Sequence, residues 1–211
     1  MKIEVKKLGK KFKNTEVLKD INLTFESSNI YGLVGRNGSG KSVFLKILCG
    51  FYSPTKGEVL FDGVNYIENN GFPKSTRALI EKPSFLPDLS GLENLKLLAS
   101  IQNKIDEDKI LKTLEDVNLI SEKDKKYSEY SLGMKQKLGI AQVLMEDPDV
   151  IILDEPFNGV EELSVKKIKT ILLEEKKNGK LIIISSHIKE DIESLANEVY
   201  LFDDGVVKNN R

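Results

Sequence analysis

The sequence predicts an α/β fold built on a parallel central sheet, with a helical segment inserted into it. Three observations carry that expectation. Val150-Ile151-Ile152-Leu153 and Leu181-Ile182-Ile183-Ile184 are continuous apolar runs, the pattern of central parallel strands covered on both faces. A glycine-rich stretch, Gly35-Arg36-Asn37-Gly38-Ser39-Gly40-Lys41-Ser42, stands between a third apolar run and an amphipathic one. From Pro83 to Met145 apolar residues recur at helical spacing, and the α/β alternation resumes afterwards.

From the N-terminus, Met1 to Phe25 shows short alternating runs broken by Gly9 and Asn14, which reads as strands of a meander. Phe12 lies among Lys10, Lys11 and Lys13 on a strand-to-strand connection. Such a ring either stacks on a base or packs on its own sheet, and spacing alone leaves both open. Ile30-Tyr31-Gly32-Leu33-Val34 reads as a short buried strand, and Val43 to Leu48 as a helix. Cys49 belongs with that helix; beside Ile47, Leu48 and Phe51 it reads as a small buried apolar side chain. Pro54-Thr55-Lys56-Gly57 is a turn, Glu58 to Phe61 a strand, and Asp62-Gly63 its end. Residues 64–76 are polar and irregular, and Ala78-Leu79-Ile80 reads as another short buried strand.

Leu92, Leu95 and Leu98 with Ala99, then Ile110, Leu111, Leu114 and Val117, mark two amphipathic helices. Ser90 and Glu93 have the spacing of a capping box at the first. The expected organisation is one domain over 1–211: an α/β core from 1–82 and 146–211, and a helical subdomain from 83–145. Val165, Ile168, Ile171 and Leu172 give one face of a later helix. Val199 to Phe202, Asp203-Asp204-Gly205 and Val206-Val207 form a closing hairpin.

Composition narrows the function. A chain of 211 residues buries about 70% of its unfolded surface without disulfides. The net charge of −1 supplies no field to draw it to nucleic acid. One cysteine cannot pair internally, which suits a reducing compartment. The start, Met1 to Lys7, alternates apolar and charged residues and does not resemble a secretory signal. No run approaches 18 apolar residues, so membrane association is expected only through a partner.

Residues 35–42 fit G-x-x-x-x-G-K-[ST], the phosphate-binding loop. Its backbone N–H groups and the N-terminus of the following helix favour anions. Lys41 would reach the β/γ-phosphates and Ser42 would ligate Mg²⁺; the plain alternative is a glycine-rich turn. Asp154-Glu155 ends the Val150–Leu153 strand, where ligands of open α/β sheets bind. There Asp154 would hold Mg²⁺ through water, and Glu155 would orient or deprotonate an attacking water. His187, the sole histidine, taken alone reads as structural.

On these residues the chain resembles the nucleotide-binding subunit of ABC transporters over essentially its whole length. Tyr130-Ser131-Leu132-Gly133-Met134, followed by Lys135-Gln136-Lys137, stands at that family's signature motif. Asn158-Gly159-Val160-Glu161 stands at its D-loop and Ser186-His187 at its switch histidine. The resemblance implies a P-loop ATPase of the ABC type, with a mixed central sheet, an antiparallel β subdomain and an inserted helical subdomain. It implies ATP and Mg²⁺ as ligands: Phe12 on the adenine, Gly35 to Val43 on the phosphates, and Ser42, Asp154 and Glu81 at the metal. Glu155, His187 and Glu81 fall on its catalytic positions. It further implies a head-to-tail dimer in which Ser131 and the Gly133 N–H bind the far subunit's γ-phosphate.

Three positions depart from the family's commonest pattern. Glu81, in Ile80-Glu81-Lys82-Pro83-Ser84-Phe85-Leu86-Pro87, replaces a glutamine and brings a negative charge near a triphosphate. The signature reads Tyr-Ser-Leu-Gly-Met in place of Leu-Ser-Gly-Gly-Gln, and Glu161 replaces an aspartate. The Glu81 loop and the Ser-Leu-Gly-Met-Lys-Gln run resemble the subgroup exporting peptide antibiotics, bacitracin and lantibiotics among them. The resemblance implies an ATP-hydrolysing subunit on the cytoplasmic face of the cell membrane. Its implied partners are transmembrane permease subunits and a second ATP-binding subunit, the same or different, with no nucleic acid. The surface from Glu81 to Asn94 is the expected permease contact. The rival is a soluble ABC ATPase outside transport, for example in metal-cluster assembly; a P-loop kinase is opposed by the signature helix.

Overall fold

The computed structural model describes residues 1–66 and 71–210. Positions 67–70 of the irregular 64–76 stretch lie outside the described residues. Two sheets build the molecule. β1 (Lys2–Phe12), β2 (Thr15–Glu26) and β4 (Lys56–Phe61) form an antiparallel sheet in the order β2-β1-β4. The larger sheet joins β3 (Asn29–Val34), β5 (Thr76–Leu79), β6 (Val150–Asp154), β7 (Leu181–Ser186), β8 (Glu198–Asp203) and β9 (Val206–Asn210) in the order β5-β6-β7-β3-β8-β9. Its strands run parallel except β9, which returns antiparallel through Asp204-Gly205, both with positive φ. The sheet is therefore mixed.

Side chains alternate across strands, so each central strand feeds two cores. Ile151 and Leu153 of β6, and Ile182 and Ile184 of β7, join one apolar cluster. Val150, Ile152, Leu181 and Ile183 join the other. The second cluster is roofed by α1 (Lys41–Leu48) and by the antiparallel sheet through Ile3, Val5, Phe25 and Val59. The first is covered by α4 (Leu132–Leu144), α5 (Glu162–Lys177) and α6 (Lys189–Glu193). It extends outward to α2 (Gly91–Gln102) and α3 (Glu107–Asp116). Both faces of β6 and β7 are buried, which is why their sequences are apolar without alternation. Each fully buried Leu or Ile there contributes roughly 2–3 kcal/mol.

Local signals account for several element ends. Ser90 and Glu93 do form a capping box on α2: Ser90 Oγ accepts from the Glu93 N–H, and Glu93 accepts from the Ser90 N–H. Gly9 does not break the first strand. β1 runs through it, pairing Gly9 with Lys56, and the register shifts on either side absorb the irregularity as bulges. Cys49 is buried at the end of α1, and burial pushes its thiol up to about 12. The Phe51 ring lies exposed against Phe72 once the helix has ended, in a groove that Cys49 also lines. Asn94 is not surface. It is buried, and it bonds the backbone of Leu86, Leu89 and Ser90, holding the loop before α2. Among the described residues, no helix is long and apolar enough to cross a membrane.

Candidate functional site

Three adjacent parallel strands, β6, β7 and β3, end side by side. Asp154 closes β6, Ser186 closes β7 just before His187, and residues 35–40 follow β3. The phosphate-loop, acidic and histidine motifs therefore meet at the carboxyl edge of one sheet. Gly40 caps α1 with φ 106, and a Cβ there would lie 2.8 Å from Leu18 Cδ2. Only glycine fits so tight a left-handed turn into the helix. Ser39 Oγ is buried without a hydrogen-bond partner, and a cavity of about 270 Å³ is lined by Val17, residues 37–43 and Glu155. Gly35, Arg36 and His187 line a neighbouring groove. The loop thus presents an orphaned hydroxyl, Ser39 Oγ, beside a space flanked by a carboxylate.

Lys41 Nζ donates to Gly35 O at 2.6 Å and Arg36 O at 3.3 Å, which keeps the ammonium over the loop. Burial pulls its pKa below the usual lysine value, against the opposing pull of Glu155 and Asp154. Ser42 Oγ donates to Asp154 Oδ2 at 2.7 Å. Ser185, paired with Asp154 across β6 and β7, donates its hydroxyl to Asp154 Oδ1. A hydroxyl beside a lone carboxylate is a hard-oxygen donor set of the kind Mg²⁺ takes together with substrate phosphates. Mg²⁺ thus fits these residues.

Glu155 has φ +50, a conformation that a non-glycine residue holds only when its surroundings enforce it. Its N–H donates to Ser185 O at 3.1 Å and Ser185 Oγ at 3.3 Å. Its carbonyl accepts from Gln136 Nε2 at 3.2 Å. Oε2 lies 2.8 Å from His187 Nδ1, and Oε1 is buried without a partner. An ionised carboxylate can only accept, so this pair selects the Nδ1–H tautomer of His187. One carboxylate oxygen is anchored, and the other is left to accept.

The signature segment opens α4. Ser131 Oγ accepts from the Met134 N–H at 3.2 Å and retains its own hydroxyl proton. Gly133 is pressed onto the loop after β6: a Cβ there would stand 2.4 Å from Gly159 O. Glu161 reaches Lys137 Nζ and Ser164 Oγ, each at 2.7 Å, and Lys137 also donates to Asn118 O. Glu161 is therefore engaged within its own chain.

Two predicted residues stand apart from this cluster. Glu81 Oε1 accepts from Lys46 Nζ at 2.5 Å, and its side chain is 63% exposed. Phe12, at the end of β1, packs edge-to-face on Tyr52 with Lys10 Nζ over its ring, and does not line the loop cavity. Sequence reasoning missed Val17, Ser185 and Gln136. A polar pair ending an apolar strand, Ser185-Ser186, is the available signal for the second; Gln136 stands in the run that follows the signature serine, though without a role of its own there, and Val17 carries no signal.

Comparison with known proteins bears on family and fold. The ABC transporter family model matches residues 18–158. An uncharacterised ABC transporter ATP-binding protein of Bacillus subtilis (strain 168) is 45% identical over 195 residues, covering 92% of this chain and 89% of that protein. The bacitracin transport ATP-binding protein BcrA of Enterococcus faecalis is 40% identical over 96% of this chain and 67% of its own length. The lantibiotic transport ATP-binding protein SrtF of Streptococcus pyogenes is 32% identical over 97% and 88%. Among solved structures, an ATP-binding subunit of an ABC transporter superposes with TM-score 0.89 at 25% identity, covering 100% of this chain and 90% of that one. A dimeric ATP-binding cassette in a post-hydrolysis state with ADP and Pi superposes with TM-score 0.88 over 99% and 98%, and at 22% identity it shows the fold.

Proposed function

This chain belongs to the ABC transporter family as an ATP-binding, ATP-hydrolysing cassette, and on that premise we propose that it powers export of peptide antibiotics or chemically similar compounds. The substrate class rests on the likeness to the bacitracin and lantibiotic transport proteins. The observation that carries the site assignment is Glu155: a carboxylate beside the phosphate loop with one oxygen tied to His187 and the other buried and unpaired.

In the proposed reaction the phosphate-loop amides, Lys41 and the helix N-terminus bind the triphosphate. Phe12 is proposed to meet the adenine. Ser42 and Asp154 would hold Mg²⁺; Glu81, paired with Lys46 apart from this cluster, is given no part in holding it. When bound, Mg²⁺ neutralises charge on the β- and γ-phosphates. Glu155 Oε1 aligns the attacking water and accepts its proton. His187 holds Glu155 in place and faces the γ-phosphate. Such transfer needs positioning and charge neutralisation more than covalent help from the protein.

The site is completed by a second cassette arranged head to tail, whose Ser131 hydroxyl and Gly133 N–H donate to the γ-phosphate. Closure of that pair would move transmembrane permease subunits, with this chain on the cytoplasmic face of the membrane. The exposed part of 81–94, Leu86 among it, is the proposed contact. Two measurements test this reading. An integral membrane protein should copurify with the chain, and its deletion should sensitise cells to bacitracin-like or lantibiotic peptides. Purification alone combined with unchanged sensitivity would refute the export assignment.

A further inference from the structure

Gln136 lies on α4, five residues past Ser131, and is 5% exposed. Its Nε2 donates to the carbonyl of Glu155, the residue whose carboxylate stands beside the phosphate loop. Among the described residues, no other side chain of α4 bonds to Glu155. The contact matters because of the backbone it touches. Glu155 sits at φ +50, in a region costing of order 1–3 kcal/mol for a non-glycine residue, and that conformation aims its side chain. Ser185 fixes the N–H side of the residue, and Gln136, at 3.2 Å, shares the carbonyl side with the Asn158 N–H at 3.3 Å. His187 then fixes one carboxylate oxygen. Without Gln136, that carbonyl keeps only the Asn158 N–H at 3.3 Å, and the hold on the Glu155 peptide, and with it the aim of Oε1, loosens.

We infer that Gln136 is a positioning residue for hydrolysis: its buried amide holds the strained Glu155 peptide so that Oε1 points at the attacking water. The inference deepens the proposed function and rests on its assignment of Glu155. It has a consequence for a head-to-tail pair. Ser131 would contact the nucleotide of one composite site, while Glu155 serves the other. Gln136 ties both to one rigid helix, so a shift of α4 on engaging nucleotide at one site alters the Glu155 carbonyl at its neighbour. The Gly133–Gly159 approach and the Lys137–Glu161 pair dock the same helix on the loop that follows Glu155.

The test uses the full chain with Gln136→Met, which keeps length and apolar volume but removes the donor. Expected is a fall in kcat of about tenfold, equal to ~1.4 kcal/mol, with ATP affinity by calorimetry unchanged within about twofold. In a Glu155→Gln background the same change should have no further effect on residual turnover, because the group it positions is already gone. An unchanged kcat, or an equal loss in both backgrounds, overturns the inference. A parallel loss of ATP affinity and thermal stability also overturns it, since that is a packing role. Absence of ATP hydrolysis in the parent chain, or a Glu155→Gln variant as active as the parent, would instead remove the functional reading beneath it.

Discussion

The ammonium of Lys137 and the carboxylate of Glu161 stand 2.7 Å apart, one on the helix that carries Ser131 and the other at the head of α5. The pair is lopsided: the Lys137 side chain is 7% exposed and that of Glu161 51%. Removing the carboxylate leaves the buried Lys137 ammonium donating to Asn118 O. Breaking a buried pair from one side is costly, and the half-exposed carboxylate moderates the loss. Glu161→Gln is therefore expected to destabilise the fold by about 1–2 kcal/mol at pH 7. The hydrogen bond from Lys137, then that from Ser164, holds the Glu161 carboxyl down to about 2 from 4.5. A lowered carboxyl pKa stabilises the fold above the unfolded value and loses that contribution as pH falls toward the folded one. The stability gap between parent and variant should thus shrink between pH 4.5 and pH 2, as read from urea midpoints. A gap of constant size would show that the pair does not contribute as an ion pair.

Glu155→Gln keeps the shape of the side chain but cannot take a proton from water. ATP binding should persist while phosphate release slows at least 100-fold, the usual scale of a lost general base. With turnover stalled, the ATP-bound pair should accumulate and appear as a dimer in size-exclusion chromatography with ATP and Mg²⁺. Hydrolysis at the parent rate would remove Glu155 from the mechanism.

Lys41 places a buried ammonium over the loop carbonyls, where its desolvation is offset by Glu155 and Asp154. A triphosphate is a far stronger partner for that charge. Lys41→Ala is expected to weaken ATP binding by about 100-fold, near 2.7 kcal/mol, in titration calorimetry. Normal affinity would mean that the phosphates bind elsewhere.

How far the sequence could be read follows from the range of the interactions. The phosphate loop and the Asp154-Glu155 pair are legible because each sits at a strand end, and strand ends are local signals; His187 alone reads as structural, and only the family resemblance points to it. Their meeting at one edge follows from the parallel order of β6, β7 and β3. What tied them together was not legible. Ser185 with Asp154, Gln136 with Glu155, and Lys137 with Glu161 pair residues 19–31 positions apart through side-chain contacts, which no periodicity reveals. Glycine misled at Gly9, where a bulge continued the strand instead of ending it. Asn94, which the family resemblance puts at the end of a contact surface, is instead buried, and its amide satisfies a loop backbone.

Glu81 raised a question of sign, because an added negative charge near a triphosphate could aid the metal or repel the phosphate. Its partner answers it. Lys46 lies four residues after Ser42 on α1, so the two share a helix face, and its ammonium takes the Glu81 carboxylate at 2.5 Å. That hydrogen bond is the main cause raising the Lys46 pKa, with desolvation opposing it. The extra charge therefore arrives already neutralised. Glu81→Gln alone should change ATP affinity and kcat by less than about threefold, as expected for an exposed pair. Lys46→Met leaves Glu81 uncompensated and should weaken ATP binding about 5- to 10-fold, more at low salt than at high. Adding Glu81→Gln to Lys46→Met should restore it. If the double variant binds no better than Lys46→Met, then Lys46 acts on the nucleotide directly and not by screening Glu81.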